Sequence, residues 1–487
     1  MYSDDFDSTP QIEAPRSSFK NCLMALISAL VIVGMLGSAI AGVVWLTRSQ
    51  LEAQAVIETL NPIIPTLAAN PRLGAADTAG EETPVTTPTV ESESTGSPAD
   101  RINRIVYVSA DNHVATINPN GTDGRLLTEI SRDYLFPAWS PAGNDIAVIA
   151  NSASSAAVIQ LRDELEARER NLYFSRRQPV VYLYWSPDGR HLSFITNHPE
   201  GGLGLNIATP GESEESRLVA LGQPFYWQWT ADADQLFIHT GFSGRGARLT
   251  LIDVEGDGEG ENVAEPGFFQ SPGISADGRY WAYAEEVSAD SRWVVVADTQ
   301  SGELQREQHG GQVALSWSPT TNQLAFISGD EGDFRFFGPL RLLDAVTGEM
   351  TLLSQDVVIA FFWSPDGRYV AYFTANQVRE DEIQVNARQR LGKPGQQRGI
   401  EFQLFVVDVM TGEGLQLAAF RPTLTFLTQF LPYFDQYALS HRLWSPDSRA
   451  LVLPIQVQDE ARIFVVPVSG GQPQEIAVGD MAFWSQK

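Results

Sequence analysis

Cysteine is almost absent: Cys22 is the only one in 487 residues. Disulfide bonds within the chain are thereby excluded, and a folded part of this size buries enough core to stand without them. Lysine is nearly as scarce, at Lys20, Lys393 and Lys487, so almost all positive charge is arginine. Together the basic side chains number 33 against 60 acidic ones, a formal net charge of −27. That balance argues against nucleic acid or an anionic membrane surface as the main partner. Six histidines (His113, His191, His198, His239, His309 and His441) are scattered without a His-Glu-x-x-His or other paired spacing, and are expected at the surface or in turns. No Gly-x-Ser-x-Gly elbow occurs, and the repeats described next are expected to leave no stretch for a hydrolase domain. The acidic run Asp253 to Glu259 faintly suggests a calcium loop, but Ala264 sits where its twelfth-position acid belongs. No catalytic, cofactor or metal site is therefore expected, and the chain reads as a non-enzyme.

What the chain has in quantity is a repeated phrase. Trp185-Ser-Pro-Asp-Gly-Arg190 precedes the apolar run Leu192 to Ile195, and the same phrase returns at Trp363 to Arg368 ahead of Tyr369 to Phe373. Looser copies begin at Trp139, Trp229, Ile274, Trp317 and Trp444, and a last one at Trp484. Successive spacings are 46, 44, 45, 43, 46, 81 and 40 residues. A period in the forties carried by short strands predicts a β-propeller with one four-stranded blade per repeat. Proline presets the backbone for a tight turn, aspartate bonds its own backbone, and glycine takes the left-handed conformation without steric cost. Seven of the eleven tryptophans hold the repeat position, which points to packing between sheets rather than ligand binding. A second phrase, Asp298 to Glu303, Asp344 to Glu349 and Asp408 to Glu413, follows about 25 residues later and reads as the hairpin between a blade's third and fourth strands.

Eight motif positions give eight blades, or seven if one copy is degenerate. Arg104 to Val108, His113 to Ile117 and Arg125 to Thr128 read as three strands lacking a first. Met481 to Trp484 supplies it, so the ring is expected to close by pairing of its terminal strands.

Upstream, residues 1–21 are polar and acidic, and Cys22 to Leu46 is a charge-free run of 25 residues. As a helix it spans about 37 Å, enough to cross a hydrocarbon core of about 30 Å. Arg16 and Lys20 before it and Arg48 after it place the N-terminus in the cytoplasm and the propeller outside. Ala39-Ile-Ala41 resembles a signal-peptide cleavage site. The long acidic N-terminal region, and an apolar run that continues past it, favour an uncleaved anchor. Gly34, Ser38 and Gly42 share one face, a spacing that lets two such helices approach, so a homodimer is conceivable through them. Residues 47–100, rich in Thr, Pro and Glu beyond Pro71, read as a largely disordered linker to a propeller over 101–487.

The 81-residue spacing between Trp363 and Trp444 predicts two inserts, near 376–399 and 422–438, on one rim opposite the Pro-Asp-Gly turns. The first carries a basic cluster that includes Arg388 and Arg390. The second has five aromatics in twelve residues, among them Phe430, Tyr433, Phe434 and Tyr437. Arginine beside aromatics is a common protein-binding composition, so these six residues are the candidate partner-binding set; the competing reading is that the aromatics form a satellite core.

The Trp-Ser-Pro-Asp-Gly-Arg phrase followed by an apolar strand resembles the TolB-type β-propeller repeat family. The resemblance covers about 104–485 and implies protein–protein interaction around a propeller funnel or rim, or gating of a peptidase. It departs from TolB in its greater repeat number, its anchor and its tether. The expectation is a single-pass, membrane-anchored extracytoplasmic propeller that binds another envelope protein or peptide, without a cofactor. The alternatives are a lyase or hydrolase with its site in the central funnel, or an accessory propeller for a separate peptidase.

Overall fold

The computed structural model describes residues 103–375 and 401–487, apart from 153, 164–168, 200, 212–215, 242–245, 257–259, 289–290 and 330–335. The expected tail, membrane helix with Gly34, Ser38 and Gly42, linker, and first insert with Arg388 and Arg390 lie outside the described residues. Among the described residues no helix is long and apolar enough to cross a membrane.

Alternating short apolar runs and turn phrases fold as antiparallel strands. Four sheets carry four strands each. They run from β4 (Asp133–Trp139) to β7 (Arg170–Ser175), from β8 (Val180–Trp185) to β11 (Arg217–Gly222), from β12 (Phe225–Trp229) to β15 (Glu261–Ala264), and from β16 (Gly273–Ile274) to β19 (Leu304–Gln308). Two larger sheets arise because one long strand serves two neighbours. β23 (Met350–Trp363) pairs through its first part with β22 (Gly338–Asp344) and through its second with β24 (Tyr369–Ala375). Likewise β29 (Gln474–Trp484) pairs first with β28 (Glu460–Pro467) and then with β1 (Ile105–Ser109). This last pairing joins the ends of the described chain, with Ile105 opposite Trp484 and Val108 opposite Met481. Farther out, the Asn103 amide donates to the Lys487 carbonyl at 2.9 Å. Repeated four-stranded sheets closed by terminal strands are consistent with a β-propeller.

The turn phrase does more than reverse the chain. The Ser186 hydroxyl donates to Asp188 at 2.6 Å and accepts the His191 amide at 2.9 Å, while Asp188 also accepts the Arg190 amide. Ser364, Ser275 and Ser445 make the same pair of bonds. Gly189 and Gly367 are left-handed as the phrase requires, at φ +72° and +70°. Ala233 and Ser448 occupy the equivalent position with φ +65° and +61°.

Six of the seven repeat tryptophans are buried as expected and Trp363 is partly buried, and several of their indoles also reach the preceding repeat. Trp185 donates to the carbonyl of Ala138, Trp363 to that of Ser316, and Trp444 to that of Phe362, each at 3.0 Å. In every case the acceptor is the residue just before the previous repeat's tryptophan. Trp139 reaches Phe483 in the same way, at 3.3 Å, across the junction of the chain's ends. Trp229 uses a relay: it donates to the Ser193 hydroxyl, which donates to the Tyr184 carbonyl at 2.7 Å. Where the repeat has Ile274 instead, Gly273 lies against the next indole, and a Cβ there would meet Trp317 at 2.8 Å.

Candidate functional site

The spacing of Phe426, Phe430, Phe434 and Tyr437 puts these rings on one helical stripe. The segment folds as a π-helical turn (Phe426–Phe430), a 3₁₀ turn (Leu431–Tyr433) opened by Pro432, and α1 (Phe434–Ser440). Its stripe is inside: Phe426, Phe430 and Phe434 are 0% exposed and Tyr437 is 5%. Tyr437 packs on Phe136 of β4 and Tyr182 of β8, with ring centroids 4.7 and 5.0 Å away. Phe434 meets Phe361 and Phe362 of β23, and Phe430 meets Phe483 of β29. One short segment thus packs against β4, β8, β23 and β29, strands far apart in the sequence.

Its polar side chains complete the attachment. The Gln436 amide behaves as a one-residue strand: its oxygen accepts the Trp227 N–H at 2.8 Å and its nitrogen donates to the Trp227 carbonyl at 2.8 Å. The Tyr182 hydroxyl lies 2.9 Å from the Gln436 carbonyl and 2.6 Å from the Ser440 hydroxyl. Ser440 in turn lies 2.6 Å from Nδ1 of His441, whose Nε2 is 3.1 Å from the Phe136 carbonyl. A carbonyl accepts only, so Nε2 carries the imidazole proton and Nδ1 accepts from Ser440. Burial holds His441 in that neutral form and lowers its pKa to about 4. The Asp435 carboxyl accepts the Ser271 amide at 3.1 Å and the Gln436 amide at 3.0 Å. Burial nevertheless raises its pKa to about 6, because two amides do not replace the water it has lost.

Several sequence expectations need correcting here. Phe430, Phe434 and Tyr437, candidate partner contacts, are covered by the inner strands and present no docking surface; only Tyr433 of the four aromatics keeps partial exposure. They do not form a satellite core beneath their own loop either, since they pack on strands of several other sheets. The histidines divide: His239, His309 and His441 are buried, against the expectation that all lie at the surface or in turns. Burial lowers the pKa of His239 and of His309 to about 4. Asp435, Gln436 and Ser440 were not singled out from sequence, and no periodic signal marks them. Among the described residues no three His, Cys, Asp or Glu side chains group as a metal site. One cleft among the described residues lies between Leu218 and Leu221 of β11 and Arg248 in the next sheet.

No protein-family model matches the chain, and no curated protein matches it. Solved structures do. The dihydro-heme d1 dehydrogenase NirN, in complex with DHE, is 13% identical with a TM-score of 0.50, over 79% of this chain and 76% of that one. An oligogalacturonate lyase in complex with manganese is 14% identical with a TM-score of 0.43, over 70% and 86%. TolB from Acinetobacter baumannii is 17% identical with a TM-score of 0.35; the match covers 51% of this chain and 62% of the TolB chain. At these identities the likeness concerns the fold alone: the chain is distantly similar to TolB-like and other β-propeller proteins.

Proposed function

We propose that this chain is an eight-bladed propeller of the TolB type, held outside the cytoplasm by a single membrane helix and serving as a binding scaffold for an envelope protein or peptide. The blade count treats β23 and β29 as two strands each and the Trp444–Leu451 bridge as an innermost strand. Each of the two long sheets then divides into two blades, which join the four intact sheets.

The observation that supports the scaffold reading is that Phe426, Phe430 and Phe434 are fully buried among β23, β29 and their neighbours. In an eight-bladed ring that place is the axis, the space in which a funnel enzyme would hold its substrate. The same observation weighs against the lyase or hydrolase alternative. Binding then falls to the outer surfaces, which a rigid ring holds in fixed positions. Arg388 and Arg390 remain the candidate contacts, with Tyr433, the partly exposed ring of the axial segment.

The test uses the full-length protein in its own membrane. Proteins cross-linked to the wild type are compared with those cross-linked to Arg388→Glu/Arg390→Glu. Loss of one reproducible partner in the variant, at unchanged melting temperature, supports the reading; an identical set of cross-linked proteins removes the arginines from it.

A further inference from the structure

The contacts of Asp435 form an unusual group. Ser271, whose amide it accepts, follows Gln270, and the Gln270 carbonyl accepts Nδ1–H of His239 at 2.8 Å. That bond fixes the tautomer and leaves Nε2 of His239 an acceptor. Nε2 of His239, Oε1 of Gln270 and Oγ of Ser271 are all buried and without a hydrogen-bond partner. The three residues are 0%, 8% and 2% exposed, and Asp435 is 1%. The titratable groups facing the carboxyl are the phenols of Tyr182 and Tyr226, with His239 farther along through Gln270 and Ser271; among the described residues neither arginine nor lysine pairs with it. Phe361 and Phe362 close the β23 side of α1. A carboxylate this buried, met by two amides and by no cation among the described residues, is costly to keep charged.

We infer that Asp435, whose carboxyl ties α1 to the Ser271 amide, is a proton-binding site that fastens this segment, so that mild acid tightens its attachment and a rise through neutral pH loosens it. The proton comes from solvent and bonds to one Asp435 oxygen. The carboxyl then loses its charge, while its remaining lone pairs still accept the two amides. When the segment opens, the carboxyl meets water and returns to its ordinary value near 3.8. The folded value is higher, so closure is favoured while the proton is bound and loses support as pH rises from about 4 through 6. Between pH 5 and pH 8 this shifts the opening equilibrium about tenfold toward the open form.

Hydrogen exchange on the detergent-solubilised full chain tests this at the Ser271 and Gln436 amides, both of which donate to Asp435. After correction for intrinsic chemistry, their opening should be about tenfold greater at pH 8 than at pH 5, relative to buried amides of the β4–β7 sheet. In Asp435→Asn the pH dependence should vanish. An infrared band from a buried protonated carboxyl, present in the wild type at pH 5 and absent at pH 8, should be missing in Asp435→Ser. Equal opening of the wild-type amides at the two pH values overturns the inference without need of any variant. So does a pH dependence that Asp435→Asn retains.

Discussion

Replacing Phe430 by alanine separates a structural axial segment from a docking loop. The ring is 0% exposed. It lies with centroids 5.0 Å from Phe426, 5.0 Å from Tyr437, 5.6 Å from Phe483 and 6.0 Å from Phe362. Truncating such a ring costs the lost transfer energy and leaves a cavity that rigid neighbours cannot fill, about 3–5 kcal/mol in all. At roughly 2.1 cal/mol/K of unfolding entropy per residue over about 385 residues, that is a fall of about 4–6 °C in melting temperature. The assay is calorimetry of the purified full chain beside Tyr433→Ala, whose ring is only half-buried and should cost less than about 1.5 kcal/mol. If Phe430→Ala melts within about 1 °C of the wild type, the ring is not in the core and the reading fails.

Other substitutions should rank by burial rather than by charge. Arg104, 2.8 Å from Asp163 with both side chains 4% exposed, should destabilise by about 3 kcal/mol when changed to methionine, because a buried carboxylate loses its main partner. Arg368→Ala, which breaks a pair on an exposed arginine, should leave the melting temperature unchanged. Ser364→Ala removes a hydroxyl that accepts the Tyr369 amide at 2.9 Å and donates to Asp366, and should cost about 1–2 kcal/mol by denaturant titration. His441 should titrate near pH 4 by nuclear magnetic resonance. Its folded value lies below the ordinary 6.5, so the stability it contributes is present above pH 6.5 and is lost as pH falls through about 4, by about 3 kcal/mol at most. A ring signal titrating at 6.5 would place His441 in solvent.

The repeat was legible because the same chemistry recurs. Each Pro-Asp-Gly turn announces a strand pair, and the incomplete first repeat pointed to the Ile105–Trp484 pairing. The serine after Trp185, Trp363 and Trp444 was equally visible, but its role as acceptor for the amide five residues beyond it is a matter of turn geometry that spacing does not reveal. The axial segment was legible as an insert and not as a location. Five aromatics in twelve residues suit an exposed hot spot as well as a core, and only the tertiary path from Phe420 to His441 decides between them. Gln436 illustrates the limit: a polar residue on a short helix reads as solvated, yet it pairs with both backbone groups of Trp227, more than two hundred residues earlier in the chain. The buried histidines were missed for the same reason, since a polar residue whose partners are distant carbonyls leaves no local mark.

Hydroxyl-radical footprinting of the intact protein addresses the occupied axis most directly. Phe426, Phe430 and Phe434 should escape oxidation, while Leu424, 68% exposed on the same segment, and Met410, 80% exposed at a turn tip, should be labelled readily. Oxidation of Phe430 and Phe434 at a rate comparable with Leu424 would mean that the segment lies outside the ring and that the channel is open.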